Sequence, residues 1–325
     1  MADTRLTPEL ELDGLSPDEA FAVLGNETRL NIIHMLWKAG ALHDYDDIDD
    51  TDTTISYSEL RDAAKIEDNG QFNYHLSKLI PHFVQQTDDG YRLSGAAKKI
   101  TRTVVAISGN RNPDVSNELQ IDCPVCGGSI MAAYEDLWLR FTCTECDGLF
   151  GDAAPDGAIL NTMFPAAGVT DRSPNEALTT GVYRCMIDMT YLMQGICREC
   201  TNPITSSISI CEDHDVDEAA TCGECKTPFA VWIDHRCDTC RFAKRLPIEL
   251  CVMGLSPVIG FLYDHNVDVL SPSLHEIVEM IRTRIRTTVN RKPLRISVTL
   301  RGDTDELAVT FDDDMALIEV SQTHG

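Results

Sequence analysis

Ten of the 13 cysteines fall in five Cys-x-x-Cys pairs, Cys123/Cys126, Cys143/Cys146, Cys197/Cys200, Cys222/Cys225 and Cys237/Cys240. Two thiols spaced this way on a tight turn point at a common centre, and two such turns close a tetrahedral four-thiolate site. The first two pairs, with sixteen residues between Cys126 and Cys143, have zinc-ribbon spacing. The other three pairs, joined by Cys211-x-x-His214, supply eight more ligands, enough for two further ions. Sequential pairing gives a Cys₃His site from Cys197, Cys200, Cys211 and His214, and a Cys₄ site from Cys222, Cys225, Cys237 and Cys240. An interleaved pairing satisfies the spacing too, and Cys211 and His214 are also readable as structural polar residues. The expected cofactor is zinc, as three structural ions. A closed site leaves no open position for water, so these are not catalytic centres. The chain has no Gly-rich phosphate loop, nucleophile elbow or His-rich open metal site, and an enzyme is not expected. His235 is expected outside the ligand shell, and Cys185 and Cys251, which stand alone, as buried thiols.

The elements that must hold these ligands are short. SIMAAY and LWLRF lie between the first two pairs, and ITSSISI and FAVWIDH between the later ones, all reading as hairpin strands. Residues 151–170 read as loop. Ser173-Pro-Asn-Glu176 opens a helix with an N-cap, a proline at N1 and a box glutamate; Val182, Met186, Met189 and Leu192 then form an apolar stripe. After Leu246 a small α+β unit is expected, with helices around 257–263 and over SLHEIVEMIRTRIRTTV. Three strands follow at 294–301, 306–311 and 315–320, the first alternating without exception as LRISVTLR.

A second chemistry lies in Ile55–Leu93. Ser56 and Glu59 make a capping box for one short helix, and Asp68 caps a second that begins near Gly70. Phe72, Leu76, Leu79 and Ile80 would face inward. Gln71, Asn73, Tyr74, His75 and Lys78 would face outward, offering donors, acceptors and a ring to base edges and phosphates. Phe83–Gln86 and Tyr91–Leu93 read as strands around Asp88-Asp89-Gly90, with Arg92 as a further basic contact. Helix, turn, helix and hairpin is the order of a winged helix-turn-helix. Upstream, Ser16-Pro17-Asp18-Glu19 opens a helix, and Leu30, Ile33, Leu36 and Trp37 give the next one its packing face. Downstream, Ile100, Val104 and Ile107 share one face, to pack on the domain or on a second copy.

LGNETRLNIIHML, SYSEL and GQFNYHLSKL with the hairpin after it resemble the ArsR-type winged-helix regulators of archaea, over residues 16–110. The resemblance implies a homodimer with the 70–80 helix in the groove of double-stranded DNA. Two departures stand out. The cysteine cluster of metalloid-sensing members is missing from Ser58–Ala64, so metal sensing there is not implied, and the acidic insertion at 43–53 is additional.

Asp and Glu number 52 against 27 Lys and Arg, a formal charge of −25, which suits a high-salt, haloarchaeal cytoplasm. Six aspartates between Asp44 and Asp52 form a solvated run without the glycine and terminal glutamate of a calcium loop. From Gln71 to Arg102, however, Lys78, Arg92, Lys98, Lys99 and Arg102 outnumber Asp88 and Asp89. At molar salt the Debye length is only about 3 Å, so remote carboxylates hardly repel a phosphate. With no run of eighteen apolar residues and a polar, acidic start, a cytoplasmic protein without membrane contact is expected. The expected fold is α+β and multidomain: a flexible arm at 1–15, a winged helix-turn-helix at 16–110, a zinc ribbon at 118–152, a helical segment with a Cys/His-rich zinc region at 173–245, and a small α+β unit at 246–325. The expected function is sequence-specific transcriptional regulation. The rival is a zinc-ribbon adaptor in transcription, binding proteins without DNA specificity of its own.

Overall fold

The computed structural model describes residues 15–40, 54–108, 118–214, 222–269 and 273–324. The acidic run, the linker at 109–117 and all but the last residue of the arm lie outside these. The chain divides into two compact units between Gly109 and Asn110.

The first unit is built by local signals. Capping boxes at Ser16/Glu19 and Ser56/Glu59 start helix α1 (Pro17–Leu24) and helix α3 (Tyr57–Ala64), with α2 (Glu27–Gly40) between them. Lys65 takes the left-handed conformation (φ 57°) and turns the chain out of α3. The Asp68 carboxylate then accepts from the Gln71 N–H at 2.7 Å and starts α4 (Asn69–Leu79). Strands β1 (Val84–Thr87) and β2 (Gly90–Leu93) pair as an antiparallel hairpin, and α5 (Gly95–Ile107) follows from an N-cap at Ser94. Ile55 forms a bridge with Tyr91, so the hairpin is tied to the start of α3. A Cβ on Gly90 (φ 144°) would stand 2.4 Å from the Ile55 carbonyl oxygen, so only glycine fits this turn. The core is Ile32, Leu36, Leu60, Phe72, Leu79 and Phe83 with their neighbours. One apolar expectation changes: Leu30 is 50 % exposed and Ile32 is buried in its place. Of the two alternatives for Ile100, Val104 and Ile107, the exposure of all three leaves the stripe open to a second copy.

In the second unit, β3 (Glu118–Asp122), β4 (Ser129–Glu135), β5 (Trp138–Cys143) and β6 (Ala158–Met163) form one antiparallel sheet in that order. The region read as loop therefore contains β6 and the short helix α6 (Ala166–Val169). Its AILNTM segment is brief, but five of its six positions pair with β5. Helix α7 (Pro174–Met193), capped as expected by Ser173, buries Val182, Met186, Met189 and Leu192. A second sheet follows the order β7 (Thr205–Ile210), β8 (Val231–Arg236), β9 (Ala243–Pro247). Helix α8 (Ile248–Cys251) leads into a 3₁₀ turn at Val252–Gly254, which runs so close to α7 that a Cβ on Gly254 would stand 2.4 Å from the Met189 carbonyl oxygen. Helices α9 (Ser256–Asp264) and α10 (Leu274–Thr283) precede a third sheet of β10 (Ile285–Arg291), β11 (Leu294–Arg301), β12 (Asp305–Phe311) and β13 (Leu317–His324).

The final helix thus ends at Thr283, earlier than its apolar pattern suggests, and IRTTVNR becomes a fourth strand. Its β-branched run favours a pleated backbone once β11 is there to pair with it. Ile296, Val298 and Leu300 of β11 are fully buried, as their alternation requires. One hydrophobic core runs from Leu119 to Phe311. The three segments separated in the sequence reading are therefore one compact unit, joined through α7 and α8.

Candidate metal centres

Four of the five Cys-x-x-Cys turns are made by the same backbone bonds before any metal is considered. At Cys123 the N–H donates to the carbonyl five residues on (Gly128), while the N–H four residues on (Gly127) returns to the Cys123 carbonyl. The same pair of bonds recurs at Cys197 with Asn202 and Thr201, at Cys222 with Thr227 and Lys226, and at Cys237 with Phe242 and Arg241. In all four turns the residue four beyond the cysteine is left-handed: Gly127 (φ 81°), Thr201 (62°), Lys226 (56°) and Arg241 (64°). Only one of these is glycine, so the shared geometry leaves little trace in the sequence.

The turns bring twelve ligands into three clusters, Cys123/Cys126/Cys143/Cys146, Cys197/Cys200/Cys237/Cys240 and Cys211/His214/Cys222/Cys225, within each of which the donor atoms lie no more than 4.8 Å apart. All twelve predicted ligands take part. In the first centre Cys123 and Cys146 sulfurs are 3.9 Å apart and Cys126 and Cys143 sulfurs 3.5 Å; in the second, Cys197 to Cys240 and Cys200 to Cys237 are both 3.5 Å. In the third, the Cys225 sulfur is 3.4 Å from His214 Nδ1. A tetrahedron with metal–sulfur bonds of about 2.3 Å has edges of about 3.8 Å, whereas a disulfide would need about 2.05 Å. The residues fit tetrahedral metal ions and are not cross-linked.

The pairing in the second and third centres is nested, which corrects the sequential expectation. The cause is the register of the second sheet, in which Thr205 faces Arg236 and Ile210 faces Val231. Antiparallel pairing brings the turn before β7 beside the turn after β8, and Cys211 after β7 beside the turn before β8. One centre therefore sits at each end of a six-residue hairpin, about 20 Å apart at 3.3 Å per residue.

Charge explains why the clusters want a cation. Burial raises the Cys240 thiol to about 12, the three neighbouring thiols adding to it, and burial with Cys225 beside it raises Cys211 to about 11. Cys237 is drawn down to about 7, chiefly by the Cys240 backbone N–H. Several thiolates cannot ionise together in so small a volume unless a divalent ion offsets their charge.

Sequence reasoning missed how the second centre is anchored. Asp188 of α7 is buried and binds Arg198, inside the first knuckle, at 2.5 Å and Lys244, four residues after Cys240, at 3.3 Å. A carboxylate in the apolar stretch MIDMTYLM is the signal that could have found it, because burial demands a cationic partner. His235 lies outside all three clusters. It is buried, its Nδ1 2.9 Å from the Ser206 hydroxyl and its Nε2 3.7 Å from the Cys251 sulfur. Cys185 and Cys251 are buried thiols.

Of the residues assigned to DNA, Gln71, Asn73, Tyr74 and Lys78 lie on the exposed face of α4, with the Lys78 ammonium 5.8 Å from the Tyr74 ring centre. Arg92 is half-buried and donates to Gln85 across the hairpin at 3.1 Å. His75 is the exception. It is 9 % exposed and faces inward, and burial with the nearby Arg29 charge lowers its pKa. At i+3 from Phe72 it shares the buried side of the helix.

Residues 120–317 match the family model described as Domain of unknown function (DUF7351), and the chain belongs to that family. Residues 17–104, most of the first unit, match a second model, Domain of unknown function (DUF7347). Neither a curated protein nor a solved structure matches the chain. No helix among the described residues is long and apolar enough to cross a membrane.

Proposed function

We propose that the protein is a sequence-specific DNA-binding transcriptional regulator of a high-salt, archaeal cytoplasm. In this reading the first unit is a winged helix-turn-helix of the ArsR type, and the second is a zinc-stabilised body. One observation carries it: α4 buries Phe72, Leu76 and Leu79 against α2 and α3 while Gln71, Asn73, Tyr74 and Lys78 are exposed on the opposite side. A helix held from behind in this way, with a hairpin beside it, presents amide, phenol and ammonium groups to a major groove. Arg92 on the hairpin is placed for a phosphate. The working form is a homodimer, supported by Ile100, Val104 and Ile107, which lie on one stripe of α5 and are 37 %, 49 % and 45 % exposed. The metal in all three centres is zinc, which suits tetrahedral thiolate and imidazole ligands.

The rival adaptor reading has its own support in β13. This strand forms the sheet edge and is exposed along its whole length, including Leu317, Ile318 and Val320. Nuclease footprinting on the protein's own upstream region in molar potassium chloride separates the two. A discrete palindromic footprint about two helical turns wide supports the dimeric regulator. No protection at any salt concentration refutes it and leaves the adaptor.

A further inference from the structure

The hairpin of β10 and β11 has two unlike faces. One is apolar: Ile285 of β10 and Ile296, Val298 and Leu300 of β11 belong to the core, and Val289 and Leu294 pack against it. Thr287 lies on that side too, its hydroxyl donating to the buried Glu249. Strand alternation turns Arg286, Thr288 and Asn290 of β10, with Arg295, Ser297 and Thr299 of β11, to the opposite face. All six are exposed or half-exposed. They stand in two adjacent rows, Arg286 opposite Thr299, Thr288 opposite Ser297 and Asn290 opposite Arg295. Charge sets the hairpin apart. Residues 282–301 hold seven of the chain's 27 Lys and Arg and none of its 52 Asp and Glu. Arg291 and Arg301 are paired, with Glu212 at 2.8 Å and Glu306 at 2.9 Å, but these are solvent-exposed pairs, which contribute little and exchange readily. From Arg295 to Arg301 the strand advances about 20 Å, so cations stand at both ends with hydroxyl and amide groups between them.

We propose that the outer face of the β10–β11 hairpin binds the phosphates of duplex DNA without reading its sequence. The chemistry of the face selects this partner. Its two strands keep their apolar side chains on the buried side, so a protein partner finds no apolar centre and a bilayer no apolar anchor. Cations spaced by hydroxyl and amide groups suit a phosphodiester backbone, which accepts both kinds of contact. Single strands are held largely by stacking on aromatic rings, and residues 282–301 contain none. A duplex carries one charge per about 1.7 Å, so a stretch as long as the hairpin offers about twelve phosphates. The inference concerns the second unit, needs no residue of α4, and carries no operator preference.

The test is binding of the full-length protein to a random-sequence duplex, followed by fluorescence anisotropy from low to molar potassium chloride. The combined variant Arg286→Gln, Lys292→Gln, Arg295→Gln should bind at least about tenfold more weakly at low salt. Its plot of log affinity against log salt should be shallower by about two to three, the share of three phosphate contacts. Thr288→Glu leaves every cation in place and sets a carboxylate at an exposed position between them. It should weaken binding about tenfold by repulsion, and it decides the matter if the combined variant melts early. Unchanged affinity and slope in the folded variants overturn the proposal, as does a wild type that does not bind random duplex at low salt. Poly-glutamate or single-stranded RNA bound as tightly as duplex overturns it in favour of an acidic protein or a single strand. The regulator reading fails separately. Loss of the operator footprint with salt-dependent random binding intact refutes that reading alone, and a footprint with random binding indifferent to the hairpin variants refutes the hairpin alone.

Discussion

The two units of this chain solve the same problem with different means. The first holds a dozen buried apolar residues in a frame of capped helices. Its organisation is local: the caps fix where helices begin, and a helical stripe decides what is buried. The second contains three sheets whose strands are only five to eight residues long, joined by turns that by themselves have little to bury. There the metal ligands close the turns, and one core spanning Leu119 to Phe311 makes the three sheets interdependent. The lesson is that dependence on metal should be confined to one side of Gly109.

The largest effect should therefore come from metal removal. On the proposed zinc reading, each ion is worth on the order of 10 kcal/mol of folding free energy. A strong chelator should unfold the second unit, with loss of strand signal and near-ultraviolet dichroism, while the first unit keeps its helices and melts as a separate transition. An unchanged melting profile after complete zinc removal would break the comparison outright. Next in size is Asp188→Ala. It leaves the half-buried Arg198 and Lys244 without their shared carboxylate, though Arg198 keeps Glu199 at 3.0 Å, and the loss should be at the lower end of the range for a buried pair, about 3 kcal/mol. Urea unfolding of the zinc-loaded variant should lose that amount in the second transition and nothing in the first.

Legibility in the sequence divides along the same boundary. Ser16/Glu19, Ser56/Glu59 and Ser173/Glu176 all form the capping boxes their spacing announces, because a cap involves residues three apart and needs no tertiary partner. The twelve ligands were legible for a similar reason, since chemistry sets their spacing within each turn. Their grouping was not. Whether Cys197 meets Cys211 or Cys237 depends on which strand ends lie together, and that is a property of the hairpin register. β6, β10 and the burial of His75 escaped for a related reason: each depends on a neighbour that the local pattern does not reveal. Leu30 shows the converse, an apolar residue with helical spacing that stays 50 % exposed.

Glu249 sharpens the comparison through pH. It is buried in α8, one carboxylate oxygen accepting from the Thr287 hydroxyl at 2.5 Å and the other without a partner among the described residues, and burial raises its pKa from 4.5 to about 7. Below the lower value the group is neutral in both states and carries no penalty. As pH rises between the two, the unfolded chain releases the proton while the folded chain keeps it, so stability falls. Above about 7 both states are ionised and the full penalty, about 3 kcal/mol, is present. Glu249→Gln keeps the Thr287 bond and removes the ionisation. The variant should gain on wild type as pH rises toward about 7 and hold that gain above it, in the second unit only. Thiol protonation also releases metal at acid pH, so the difference between the two proteins is the quantity to follow.

On the first unit, Asn73→Ala and Tyr74→Ala should each lose about 1–3 kcal/mol of discrimination between operator and random DNA. Both side chains are exposed, so the melting temperature should hold. Lys78→Ala should weaken binding to all sequences alike and lower the salt slope by about one. Operator preference that survives all three substitutions would remove α4 as the reading element.

The smallest effect tests the knuckles against one another. Four of them share a left-handed residue four beyond the cysteine, but only the first has glycine there. A side chain in that conformation costs about 1–2 kcal/mol relative to glycine, partly offset by the greater freedom of glycine in the unfolded chain. Arg241 is exposed, and its φ of 64° suits glycine. Arg241→Gly should therefore stabilise the second unit by about 0.5–1 kcal/mol. Gly127→Ala, at φ 81° with open space around the Cβ position, should destabilise it by a similar amount through the backbone alone. Equal and opposite shifts in zinc-loaded protein would show that the turns carry this strain regardless of the ligand set. If Arg241→Gly were neutral while Gly127→Ala cost stability, metal closure rather than intrinsic backbone preference would be setting the conformation of the second centre.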